Sequence, residues 1–332
     1  MARGGRAMLA AALLALAPGV RGGEAAMTDE AKREQARWRE LLGTPEHYAF
    51  EPKVELLRRY DAFPDLDIEL YRQNNGPGTS QRVLLVLPKR RAGRVPAVAV
   101  PFYFPEAMLG FDPDTRETFP RYEGIDFMAQ LARRGYASAS AESYHLTYAP
   151  SDLGRTDFSR WRVMGERLNA DHPEWTGIGK LTADTRLVID LLAADDRIDA
   201  ARIGIFGHSL GGKMAFYAGM LDDRVRVVGA SDFGIRWEQT NWHDIWYWGA
   251  KLEDLKARGI DHTGLLRAGG GKPFFLIAGQ FDDAASQAFI RNSGVYAAKP
   301  EYLGFFHHAT GHRPTPGSLA AAYDFFDRFL KP

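Results

Sequence analysis

Gly207-His208-Ser209-Leu210-Gly211 decides the reading of this chain. The five residues follow a short apolar run, Ala201-Arg202-Ile203-Gly204-Ile205-Phe206, and precede Gly212-Lys213-Met214-Ala215-Phe216-Tyr217-Ala218, which reads as a helix start. A serine between a buried strand and a helix, with glycine two residues away on either side, is the pattern of a nucleophile held on a tight turn. The turn lifts the hydroxyl out of the sheet in a backbone conformation that costs roughly 1–3 kcal/mol. The helix crosses the strand so closely that side chains at 207 and 211 would collide, hence glycine at both. Its N-terminus, with unpaired N–H groups and a partial positive charge, points to where an oxyanion would form. Ser209 is therefore the candidate nucleophile, and the N–H of Leu210 the first candidate oxyanion donor.

The bulk composition narrows the classes of function. The chain has 332 residues, 45% hydrophobic and 25% charged, enough for a sizeable core. One α/β domain of about 250 residues or more is an ordinary outcome at this length. Lys plus Arg total 42, as do Asp plus Glu, so the balanced charge gives no electrostatic footprint for a nucleic-acid partner. With no cysteine, disulfides, thiolate catalysis and Cys-based zinc sites are excluded together. The nine histidines show no HExxH spacing, and no metal is expected. At the start, Arg3 and Arg6 precede an apolar run from Ala7 to Ala17 that Pro18-Gly19 ends. This pattern resembles a secretory signal peptide over residues 1–22, cleaved near Gly22. A run of about 11 apolar residues is too short to cross a hydrocarbon core of roughly 30 Å, so no anchor is expected after cleavage. The expected location is periplasmic or secreted.

Periodicity orders the rest. Thr28 to Leu42 reads as a charged helix ended by Gly43-Thr44-Pro45, and Lys53 to Tyr60 as a second short helix, together making an N-terminal helical segment over 23–64. From 65 to 332 the chain reads as one α/β domain. Asp67–Tyr71 and Val83–Leu87, separated by the turn cluster Asn74-Asn75-Gly76-Pro77-Gly78, read as an antiparallel pair. Ala97–Val100, Tyr136–Ala139, Val225–Ala230 and Pro273–Ala278 read as strands. Helices are expected over Phe127–Arg134, Leu181–Ala193 and Leu319–Leu330. An antiparallel start followed by alternating strands and helices implies a mostly parallel sheet covered on both faces.

The strand, G-x-S-x-G and helix resemble the nucleophile elbow of the α/β-hydrolases, whose triad follows the chain order Ser, Asp or Glu, His. The acid should emerge where a strand meets its loop. Asp282, after the strand ending at Ala278, is the first choice; Asp283 beside it and Asp232 after the Val225–Ala230 strand are the alternatives. His312, in Phe305-Phe306-His307-His308-Ala309-Thr310-Gly311-His312, lies before the last helix, where the base belongs. It would take the Ser209 proton and return it to the leaving alcohol, while the acid holds its tautomer. His208, His307 and His308 read as structural. The second oxyanion donor should lie in Pro101-Phe102-Tyr103-Phe104-Pro105. Proline has no N–H, so Tyr103 is the first choice and Phe104 the second.

Within that superfamily the chain is similar to the exported dienelactone-hydrolase-related and acetyl-xylan-esterase-like branch. The likeness rests on Asp195–Gly204, Gly207–Ala215, Thr240-Asn241-Trp242-His243-Asp244-Ile245-Trp246-Tyr247 and Leu303–His312. It implies a serine carboxylic-ester hydrolase that needs no cofactor and acts on a small-molecule or carbohydrate-borne ester. The oxyanion loop departs from the family pattern, with Pro101-Phe102 in place of a His-Gly or His-Gln start. Cap segments of this fold are inserted before Pro273, and here that stretch carries Trp237, Trp242, Trp246, Tyr247 and Trp248. These rings either stack on a sugar or pack the cap onto the sheet. Two rival readings are a prolyl-oligopeptidase-like peptidase and a catalytically silent binding module. A propeller-sized domain before the elbow is missing for the first, and the set Ser209, Asp282 and His312 opposes the second.

Overall fold

A computed structural model describes residues 27–43, 45, 50–60 and 63–331. The expected signal peptide over residues 1–22 lies outside the described residues. Among the described residues the strands are β1 (Val54–Tyr60), β2 (Leu66–Gly76), β3 (Thr79–Pro88), β4 (Val95–Ala99), β5 (Ala137–Ala141), β6 (Ile198–His208), β7 (Val225–Ser231), β8 (Phe274–Ala278) and β9 (Leu303–His307). The helices are α1 (Asp29–Leu42), α2 (Pro105–Leu109), α3 (Phe127–Arg133), α4 (Tyr144–Thr147), α5 (Phe158–Asp171), α6 (Gly177–Ala194), α7 (Leu210–Leu221), α8 (Lys251–Ala257), α9 (His262–Ala268), α10 (Ala284–Asn292) and α11 (Pro316–Leu330).

All nine strands join one sheet in the order β1-β2-β3-β5-β4-β6-β7-β8-β9. The first three are antiparallel, β3 meets β5 antiparallel, and every pairing from β5 through β9 is parallel. Strand alternation splits the core between two faces. Val83, Leu85 and Leu87 enter one hydrophobic cluster with α1, α6 and α7, while Leu84 and Val86 enter another with α3 and α11. This is the α/β-hydrolase fold, with the ends of β4, β6, β7, β8 and β9 opening on one edge.

One element overturns its expectation. Lys53 to Tyr60 is not a second helix: Val54–Tyr60 is the edge strand β1. Its Leu, Glu and Arg residues favour helix weakly. Pairing with β2 outweighs that preference by setting Glu55 beside Arg72 and Arg59 beside Glu69, with both ion pairs formed. The helix α1 is as expected, N-capped by the Thr28 side chain and closed by Gly43 in the left-handed region.

The segment between β7 and β8 carries α8, α9 and the tryptophan-rich loop. Trp237, Trp242 and Trp248 are buried, and each indole N–H donates inside the protein, to Ile260 O, Gly234 O and Tyr217 Oη respectively. These rings and Tyr247 pack the insertion onto the sheet; Trp246 alone of the five is partly exposed.

Candidate active site

Ser209 closes β6 and heads α7 with φ 56° and ψ −118°, a left-handed conformation that a serine adopts only under constraint. Its N–H donates to Ser231 O of β7 at 2.8 Å. The close crossing foreseen from the glycines is severe: a Cβ on Gly207 would lie 2.0 Å from Gly211 O. A Cβ on Gly211 would lie 2.0 Å from Pro101 O, so the loop after β4 is packed directly on the first turn of α7.

That loop is fixed from behind. Ser143, fully buried, donates its hydroxyl to Phe102 O at 2.6 Å and its N–H to Tyr103 O at 3.1 Å. In a trans peptide the carbonyl and the next N–H point in opposite directions. Anchoring Phe102 O on Ser143 therefore turns the Tyr103 N–H to the other side, where it finds no acceptor among the described residues. Leu210, the first residue of α7, has an N–H without an intrahelical acceptor. Beyond the loop, buried Glu106 in α2 receives Arg82 at 2.7 Å and Arg155 at 2.6 Å, tying α2 to β3 and to the 155 loop.

His312 lies between β9 and α11, and its Nδ1 is 2.6 Å from Asp232 Oδ2. The His312 side chain is one-third exposed, whereas that of Asp232 is completely buried. Asp232 also has positive φ, 45°, and its carboxylate accepts the amides of Gly279, Gln280, Phe281 and Asp282. Burial alone would raise its pKa. The bonds from His312 and from the Asp282, Phe281 and Gln280 amides overcome that and hold the carboxyl below the usual range. The His312 ring lies 4.5 Å, centroid to centroid, from that of His208, which precedes Ser209, and 4.9 Å from Phe281. No hydrogen bond joins Ser209 to His312 among the described residues; such bonds tighten when substrate is held.

The expectation that Asp282 partners His312 is corrected. Asp282 is fully buried, and its oxygens accept the Phe233, Gly234 and Ile235 amides at 2.8 Å and the Ser286 hydroxyl at 2.9 Å. Burial, opposed by the amide bonds and reinforced by the Asp232 charge, pushes its carboxyl up to about 6. Asp283 is the N-cap of α10, bonded to the Ala285 and Ser286 amides. His208 is buried, with Nδ1 3.1 Å from Ser231 Oγ, and burial drops its pKa to about 3. His308 pairs with Thr310 at 2.8 Å, and His307 is exposed.

Lys213 escaped notice in the sequence, although it follows Ser209 by one helical turn. Its buried ammonium donates to Asn241 Oδ1 at 2.9 Å and sits over the rings of Trp242 and Tyr247, at 4.5 and 4.3 Å. Burial brings its pKa down to about 7. Ser143 was missed as well, and nothing in the residues around it marks a loop anchor. Among the described residues no three His, Asp or Glu side chains converge as a metal-binding group.

Neither a protein-family model nor a curated protein matches this sequence. Solved structures do match in shape. A candidate acetyl xylan esterase from Bacteroides fragilis aligns with TM-score 0.67 at 15% identity over 84% of this chain and 74% of the other. A glucuronoyl esterase from Solibacter usitatus aligns with TM-score 0.65 at 12% identity over 91% and 92%. A family 15 glucuronoyl esterase from Teredinibacter turnerae aligns with TM-score 0.62 at 18% identity over 93% and 87%. At these identities the likeness establishes the shared fold.

Proposed function

We propose that this chain is a serine esterase acting on carbohydrate-borne esters, with Ser209 as nucleophile, His312 as base and Asp232 as acid. One observation carries the reading: a buried carboxylate 2.6 Å from His312 Nδ1, at the sheet edge that holds a serine at φ 56°. With Nδ1–H donating to Asp232, the His312 Nε2 lone pair is left to accept the Ser209 proton. Ser209 Oγ then attacks the ester carbonyl, and the oxygen that gains charge is met by the N–H groups of Leu210 and Tyr103. Collapse expels the alcohol, which takes the proton from His312, and leaves an acyl-serine. Water, deprotonated by the same nitrogen, attacks the acyl carbon, and His312 returns that proton to Ser209 Oγ as the acid leaves.

The carbohydrate side of the reading draws on the esterases named above, whose fold this chain shares over most of its length. Export to the periplasm or the medium belongs to it too, resting on the basic start and apolar run of residues 1–22. No helix among the described residues is long and apolar enough to cross a membrane.

The test is labelling with a fluorophosphonate probe, followed by a panel of acetylated xylo-oligosaccharides, methyl esters of glucuronate, feruloyl esters and proline peptides. The wild-type chain should take the label and cleave at least one carbohydrate ester. Ser209→Ala should lose the label and roughly 10⁴–10⁶ in kcat with its fold intact, because the remaining triad members cannot substitute. Labelling that persists in Ser209→Ala, or cleavage of proline peptides alone, would overturn the proposal.

A further inference from the structure

Two aromatic rings outside the oxyanion loop but close to it keep exposed surface. Phe158, the first residue of α5, is 50% exposed, although phenylalanine is normally inside. Trp246 is the one partly exposed ring of the tryptophan-rich loop. The two rings are stacked, 6.4 Å apart centroid to centroid with planes 29° from parallel, and both keep apolar surface exposed to solvent. Tyr103, whose N–H is the second oxyanion donor in the reading above, has its ring 6.4 Å from Phe158. Trp161, buried one turn along α5, contacts two of the rings, 5.4 Å from Tyr103 and 6.4 Å from Trp246.

The backbone under Trp246 is held firmly. A Cβ on Gly177 would lie 2.2 Å from Trp246 O, so α6 presses its first turn against the backbone that carries this ring. The neighbouring Tyr247 O accepts the Ile178 N–H at 3.1 Å. The backbone that carries Trp246 is thus fixed before a ligand arrives, which lowers the entropic cost of binding. We propose that Phe158 and Trp246 form a stacking shelf for a pyranose ring attached through the scissile ester. An alkyl chain would gain most from an enclosed pocket, with apolar surface on every side. An open, flat aromatic face suits a ring whose C–H faces are apolar and whose rim of hydroxyls must stay in water. The shelf rests on the carbohydrate-esterase reading and assigns its sugar-binding residues.

The experiment compares wild type, Phe158→Ala, Trp246→Ala and Phe158→Trp on two substrates. One is the carbohydrate ester that the wild type cleaves best from the panel above; the other is ethyl acetate, which has no ring to stack. Each alanine variant should lose about 3–10-fold in kcat/KM on the carbohydrate ester, carried by KM, as expected for one lost aromatic contact. Ethyl acetate turnover should stay within about twofold, and Phe158→Trp should restore the carbohydrate activity. Isothermal titration of Ser209→Ala with the intact carbohydrate ester gives the same answer without turnover: binding should weaken when Trp246→Ala is added. Equal losses on both substrates, or alanine variants that match wild type on the carbohydrate ester, would overturn the shelf and leave the esterase reading standing. A wild-type enzyme that cleaves ethyl acetate but no carbohydrate ester would overturn the carbohydrate reading, and the shelf with it.

Discussion

Asp232 and Asp282 lie in the loops that follow neighbouring strands and differ in what their oxygens meet. Asp232 gives Oδ2 to His312, while its carboxylate also gathers the amides of residues 279–282. Asp282 gathers the amides of residues 233–235 and offers nothing to an imidazole. Each carboxylate thus clasps the loop that carries the other, and only Asp232 faces His312. Asp232→Asn should remove the group that holds the His312 tautomer and cost on the order of 10⁴ in kcat per folded molecule, besides the stability lost where its NH₂ meets the amides of the 279–282 loop. Asp282→Asn should cost stability without that loss of kcat. Its new NH₂ would face amide donors, at about 1–3 kcal/mol for each one left unpaired, while the folded fraction keeps most of its kcat. Turnover and thermal unfolding of the two variants decide the matter; a larger kcat loss in Asp282→Asn would move the acid back to the end of β8. Ser209 and His312 were legible as candidates because the elbow and the last loop are marked by residue type and order. The choice between carboxylates was not. It depends on the turn of one backbone, Asp232 at φ 45°, which a non-glycine residue adopts too seldom for a sequence to announce.

The elbow and the oxyanion loop work as a pair of elements. Gly211 is the point where α7 meets Pro101 O, and an added methyl at 2.0 Å must push one element away from the other. Gly211→Ala should therefore fold with reduced stability and lose roughly 10²–10³ in kcat, the usual cost of one displaced oxyanion donor. An unchanged kcat in that variant would show that the 101–104 loop takes no part in charge stabilisation. At this scale the sequence spoke clearly where a period was clean. The β2–β3 pair joins Ile68 to Val86, and α11 runs from Pro316 to Leu330 with its apolar face on the sheet. It was silent over α5, although Trp161, Met164 and Leu168 are its buried stripe. The charged residues between them mask a spacing that, searched for, would have placed a helix beside the site. It misled over β1, whose strand character comes from pairing with β2, where two cross-strand ion pairs also form.

Across the described molecule the proposed nucleophile stands at the end of β6 and an ionic clamp near its start. Glu69 of β2, with a side chain only 4% exposed, receives Arg197 at 2.6 Å, Arg59 at 3.0 Å and the Tyr71 hydroxyl at 2.6 Å. Arg197, just before β6, also binds Asp195. The clamp thereby ties the antiparallel strands to the parallel half of the sheet. Burial alone would raise the Glu69 pKa, but these donors pull it from the ordinary value of 4.5 to about 2. A carboxyl with a lowered folded pKa stabilises the protein fully above its unfolded pKa, and that share is lost as pH falls toward the folded value. A shift of this size corresponds to an upper bound of about 3 kcal/mol, since the partner arginines remain partly exposed. Glu69→Gln should therefore be less stable than wild type at pH 7, and the gap in unfolding free energy should close as pH falls from about 4.5 toward 2. Turnover of the folded variant should be unchanged, because the clamp lies at the opposite end of β6 from Ser209. Urea titrations of both proteins at pH 7, 4.5 and 3 measure the gap directly. A gap that stays constant across that range would mean that Glu69 is not the group whose protonation weakens the fold.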